Sequence, residues 1–318
     1  MKLDHPIVSI LAYSLSAILM TITNKHVITN LEFRLNFLYL SIQSIGCMVF
    51  LHILWIVGII KCKGFNGNDI RKWIWVTIPF IAMLYTMTRA LEYLSIAMMT
   101  VFKNVTIVLV AYLDYKILKN YQINGLMLVS FGFIIASSLI SGYGDFIGKD
   151  NGKDSVWYGY FWMACDCIAT AAYTIMMKYT LNKVEFNDYD TIYFNNLLPI
   201  PILLILSFVS ERPEMERMLI EYQKNDSDYN SSINSLIFGI FISTIFTFSI
   251  SLTTAWCIRV NGPTTYSMIG ALNKVPMIIS GMLLFDDTVV NVTSICGIGL
   301  GIHILDFKTF SDMFRYTL

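Results

Sequence analysis

The chain has 318 residues, 56% of them hydrophobic, 14% aromatic and only 14% charged, with 22 basic side chains balanced by 22 acidic ones. Soluble proteins carry nearer a quarter charged residues, so the composition fits a polytopic membrane protein with membrane lipid as its solvent. The balanced charge and the lack of any basic tract exclude a nucleic-acid partner. The six cysteines and four histidines are scattered, and Cys165-Asp-Cys167 has no histidine cluster beside it, so neither a metal nor another cofactor is expected.

A hydrocarbon core of about 30 Å takes roughly 20 helical residues to cross. Runs of that kind number ten, at 7–29, 36–60, 72–94, 96–117, 122–141, 156–179, 187–209, 234–259, 262–284 and 290–307. The expected fold class is therefore all-α, a polytopic membrane protein of ten transmembrane helices. The first run, Ile7–Ile28, is too long for a signal peptide and lacks a small-residue cleavage site, so it stays as a spanning helix. Alternating loops separate a basic set (Lys61, Lys63, Arg71, Lys72, Lys116, Lys119, Lys178, Lys183, Arg259) from an acidic one rich in Glu and Asp at 211–233. The basic set is expected in the cytoplasm, which places both termini there and the 211–233 loop, with sequons at Asn225 and Asn230, in the lumen.

Taken in order, the first span carries an unusually polar face of Tyr13, Ser14, Ser16, Thr21, Thr23, Asn24 and Lys25. Its serines and threonines are packing residues or ligand contacts; Tyr13 needs a partner for its hydroxyl inside a span. The third span holds Arg89 and Glu92 at i, i+3, an internal ion pair or a ligand contact. Lys103 and Asn104 sit about eight residues into the fourth span, too deep for easy snorkelling. Asn195 and Asn196 interrupt the seventh span, either as interhelical glue or as carboxamides that read a nucleobase edge. Ser251, Thr253 and Thr254 add hydroxyls to the eighth.

The ninth run opens with the stretch Thr264–Gly281, TTYSMIGALNKVPMIISG, which buries a lysine where insertion costs roughly 2.5–3.5 kcal/mol. Tyr266, Gly270 and Lys274 fall on one helical face, an aromatic hydroxyl, a gap and a cation suited to an anion. Lys103 and Lys274 lie in corresponding spans of two weakly similar halves, 1–142 and 143–318, with Ala12–Lys25 echoing Cys165–Lys178. Either the two lysines pair with Asp114 and Asp166, or they share an anion from outside. Five spans per half insert the halves with opposite orientation, the inverted-repeat plan that places a substrate at mid-membrane.

The segments TTYSMIGALNKVP with FDD beyond it, FKN at 102–104 and YFNN–LLPIPILL at 193–204 together resemble the fungal Golgi GDP-mannose transporters. These belong to the nucleotide-sugar branch of the drug/metabolite transporter superfamily, and the resemblance runs from about Ala12 to Leu300. It implies two inverted five-helix repeats and an antiporter, not an enzyme, that brings GDP-mannose into the Golgi lumen for mannosylation and returns GMP. It implies guanine contacts from Asn195, Asn196 and Ser251, with Tyr193 beside them. On the phosphate and sugar side it implies Tyr13, Lys103, Tyr266, Gly270, Ala271, Asn273 and Lys274. A second copy of the chain is open as a further partner. Two departures matter: the family's Phe-Tyr order is reversed at Tyr193-Phe194, where neighbouring helical residues point about 100° apart, and DFKTFSDMFRYTL at 306–318 lacks the lysine-rich tail typical of the family. Alternatives are transport of another nucleotide sugar, or a non-transporting paralogue acting as scaffold or regulator. An integral-membrane transferase needs an acidic or histidine catalytic set, and none stands out.

Overall fold

The computed structural model describes residues 5–31, 33, 35–60, 67–91, 93–94, 96–118, 132, 153–183, 186, 188–223 and 227–273. Among these residues the regular structure is all helix: α1 (Pro6–Lys25), α2 (Asn36–Ile56), α3 (Gly67–Leu91), α4 (Ile96–Leu113), α5 (Lys153–Lys183), α6 (Asp188–Leu197), α7 (Pro199–Ser210), α8 (Arg212–Gln223) and α9 (Ser227–Leu272). Single π-helical turns continue α1 over His26–Asn30 and α4 over Asp114–Leu118. The expected span at 290–307 lies outside the described residues, as does that at 122–141 apart from residue 132.

The helices are patterned for lipid. On α1 the buried positions are Ser9, Ile10, Tyr13, Ser16, Ala17 and Met20, while Ile7, Leu11 and Leu15 are about 60% exposed. A helix whose outer face is the more apolar one is stable against hydrocarbon, not water. The α6–α7 stretch repeats the arrangement, with Asn196 and Ser207 buried and Ile205, Phe208 and Val209 exposed. Four described stretches are long and apolar enough to cross a membrane: Pro6–Ile28, Asn36–Ile56, Asp188–Ser210 and Asn234–Gly270. Hydroxyls on the polar face of α1 are satisfied locally: Thr21 donates to the Ala17 carbonyl at 2.8 Å and Thr23 to that of Leu19 at 2.9 Å.

The chain forms two compact units, one of residues 1–7, 78–183 and 257–318, the other of 8–77 and 184–256. In the first, α4 and α5 pack through Val110, Ala171 and Ile175 and through Leu94, Met99 and Met163. In the second, Cys47 and Leu51 of α2 pack with Ile192 of α6 and with Phe248 and Leu252 of α9. A buried polar network runs beside that core, where Tyr39, Gln43 and Ser243 converge on Asn24 Oδ1 at 2.9, 3.0 and 3.2 Å. Glu211 serves the start of α2, accepting from the backbone N–H groups of Phe37 and Leu38 at 2.6 and 3.1 Å. Those are donors that the helix itself leaves unsatisfied.

Two connections differ from expectation. The hydrophilic stretch 211–233 is helical over Arg212–Gln223, supported by the Arg212–Glu216 and Glu214–Arg217 pairs at helical spacing. The expected eighth and ninth spans meet without a loop, at a break in α9 where Gly262 takes φ 85°, ψ 170°.

Gly46 of α2 sets how closely α9 approaches, because an added Cβ would lie 2.5 Å from Thr244 Cγ2. Small residues perform this role at helix contacts in membranes. Gly46→Ala is expected to lower the thermal unfolding midpoint in detergent, by the ~1–3 kcal/mol of an overpacked contact. Adding Thr244→Ala restores it. A double variant no more stable than Gly46→Ala alone would place the strain elsewhere.

Candidate binding site

Three of the four side chains expected at a nucleobase are positioned by α6. That helix buries Thr191, Ile192, Phe194 and Asn196. Asn196 is held twice, donating from Nδ2 to the Ile192 carbonyl at 2.9 Å and to Ser251 Oγ of α9 at 3.4 Å. Asn196 and Ser251 are thus brought together. Asn195, one residue earlier and half-buried, differs: its Oδ1 is buried and accepts no hydrogen bond among the described residues. A buried carbonyl without a donor costs about 1–3 kcal/mol unless something supplies one, so this oxygen is a ready acceptor for a ligand N–H.

The reversed order at 193–194 has a packing cause. Phe194 is 1% exposed and stacks on Phe186 with centroids 5.2 Å apart and planes 11° apart. Phe186 in turn packs on Trp73 at 5.5 Å. The phenyl ring therefore belongs in an apolar aromatic layer. Tyr193 meets Phe194 edge-on with centroids 5.4 Å apart, and its ring lies 6.1 Å from that of His52 of α2. His52 Nδ1 sits 3.0 Å from the Met48 carbonyl; a carbonyl only accepts, so in the neutral ring Nε2 is left as an acceptor. Nothing in the linear pattern marks His52, because its place beside Tyr193 depends on how α2 meets α6.

The set expected at phosphate and sugar is spread over several helices. Tyr266 and Gly270 are half-buried, one turn apart on the short arm of α9 beyond Gly262. Asn273 is 4% exposed, and its Nδ2 has no hydrogen-bond partner among the described residues. Ala271 is on the same arm, and Lys274 lies outside the described residues. Tyr13 is buried on α1. Lys103 is exposed on α4, and its charge acts on Asp166 of α5, which is 1% exposed with Oδ1 unbonded among the described residues. Asp114, the other acid considered for the deep lysines, is occupied otherwise: Thr264 Oγ1 donates to its Oδ2 at 2.6 Å, and Lys178 is the cation near it. Sequence reasoning missed that cluster, since Asp114 and Thr264 are 150 positions apart.

Apolar spanning helices with lipid-facing exteriors define a multi-pass α-helical membrane protein. No protein-family model matches the chain. It is 40% identical to a GDP-mannose transporter of Phaeosphaeria nodorum, over 89% of this chain and 75% of that protein. Identity is 38% to those of Coccidioides immitis (94% and 78% covered) and Scheffersomyces stipitis (92% and 88%). The chain therefore belongs to the GDP-mannose transporter family of nucleotide-sugar transporters. A protein solved by crystallography shares the fold, with a TM-score of 0.66 at 12% identity over 96% of this chain and 97% of that one.

Proposed function

We propose that the protein carries GDP-mannose across the Golgi membrane into the lumen, for use in mannosylation, and returns GMP by alternating access. The observation that carries this reading is the 38–40% identity to GDP-mannose transporters over about nine-tenths of the chain. The unbonded Asn195 Oδ1 beside the Asn196–Ser251 pair supports it, since guanine offers N–H donors on the edge such an acceptor reads. In this reading Asn195, Asn196 and Ser251 hold the base with Tyr193 alongside. Tyr13, Lys103, Tyr266, Gly270, Ala271, Asn273 and Lys274 hold the pyrophosphate and mannose.

The proposed architecture is ten transmembrane helices in two inverted repeats, 1–142 and 143–318, with both termini in the cytoplasm. Such repeats suit a carrier because the two orientations interchange by rocking about a fixed site. Anionic substrate neutralises lysine charge inside the membrane, so the loaded carrier crosses more easily than the empty one. That asymmetry couples import to nucleotide export.

Uptake of labelled GDP-mannose by purified protein in liposomes tests the reading, with GMP, UMP or nothing preloaded. Stimulation by GMP alone is the expected result. Stimulation by UMP would overturn the guanine assignment and leave a carrier of another nucleotide sugar. Folded protein indifferent to every nucleotide would point to a non-transporting scaffold.

A further inference from the structure

The break in α9 leaves two helix ends inside the protein, and each is served by a side chain from another helix. At Gly262 the backbone takes φ 85°, ψ 170°, which only glycine adopts without strain, although an added Cβ there would meet nothing within 4 Å among the described residues. The requirement is thus one of backbone direction, not of space. Pro263 then opens the second arm at a position where its missing N–H leaves no bond unmade. That arm's free end needs acceptors, and Asp114 supplies them, taking the Thr264 hydroxyl at 2.6 Å and the Thr264 backbone N–H. The first arm ends in carbonyls that lack donors, and Lys178 of α5 donates its Nζ to that of Arg259. An acid at a helix start and a base at a helix end each complement the local dipole. Asp114 is 1% and Lys178 8% exposed, and they attract each other across the break.

We infer that Asp114 is a positioning residue for transport: with Lys178 it latches the break at Gly262 and so aims the arm that carries Tyr266, Gly270 and Asn273. The inference rests on the proposed function insofar as that arm faces phosphate and sugar. The latch acts through Thr264 and touches no substrate. Loosening it weakens whatever the arm binds and spares what α6 binds. GDP-mannose, with its second phosphate and its sugar, therefore suffers more than GMP.

The test compares Asp114→Ala, Thr264→Val and Thr264→Ser in liposomes, with KM measured separately for GDP-mannose and GMP. Asp114→Ala and Thr264→Val should raise KM for GDP-mannose about tenfold and KM for GMP less than threefold, the range expected when one hydrogen bond is lost. Thr264→Ser keeps the hydroxyl and should behave as the unaltered protein. A merely structural role lowers the yield of folded carrier and leaves both KM values in place, which would overturn the inference; so would Thr264→Ser failing like Thr264→Val. Spin labels at Ile250→Cys and Ser267→Cys report the bend without any substrate. Their distance distribution should broaden in Asp114→Ala, and an unchanged distribution sinks the latch even if the unaltered protein carries no GDP-mannose. Failure of the unaltered protein to exchange, with the broadening present, refutes the transport reading alone.

Discussion

Asn195→Ala and Asn196→Ala are expected to part company when transport and stability are measured side by side. Asn195 Oδ1 makes no hydrogen bond among the described residues, so its removal takes away no bond seen there and the unfolding midpoint should hold or rise slightly. Its loss falls on the ligand instead. KM for GDP-mannose should rise ten- to hundredfold, the equivalent of about 1.4–2.7 kcal/mol, and the preference for GMP over UMP should shrink with it. Asn196 is different in kind, because its amide ties the Ile192 carbonyl and Ser251 Oγ together. Asn196→Ala should lower the midpoint as well as the affinity, by about 1 kcal/mol for the lost bonds. An Asn195→Ala protein with unaltered KM and intact base selectivity would take that residue out of the site.

The two asparagines also show where reading a sequence stops. Their cost in lipid marks the pair as purposeful, but only the contact with Ser251, 55 positions on, separates the anchored amide from the unoccupied one. Long apolar spans such as Asn36–Ile56 and Asp188–Ser210 were legible because burial in lipid is written continuously along the chain. Contacts between helices are not. Asp114 with Thr264, Glu211 with Phe37 and Asn24 with Ser243 join residues 150 to 219 positions apart, and no periodicity relates them. The Tyr193-Phe194 reversal was visible as a departure, yet its cause lies in the Phe186 stack that draws the phenyl ring inward. The stretch at 211–233 is acidic enough to look like a simple loop. Its Arg212–Glu216 spacing held the helical signal all the same.

Lys103→Ala is expected to abolish most exchange, and Asp166 decides why. The lysine is exposed and its charge acts on a carboxylate that is 1% exposed with one oxygen unbonded among the described residues. Removing the cation alone leaves Asp166 buried without its compensating charge, which destabilises the fold as well as the site. A fall in transport by that variant is therefore ambiguous between a ligand contact and an internal pair. Combining it with Asp166→Asn removes the ambiguity, because the neutral amide needs no counter-charge. The double variant should regain its unfolding midpoint and remain about a hundredfold slower in GDP-mannose exchange, the scale of a lost hydrogen bond to a charged group. Recovery of transport together with stability would make Lys103 the partner of Asp166 alone. In that case the phosphates must be met by the cation at Lys274, and the anion would rest on one half of the chain instead of being shared by both.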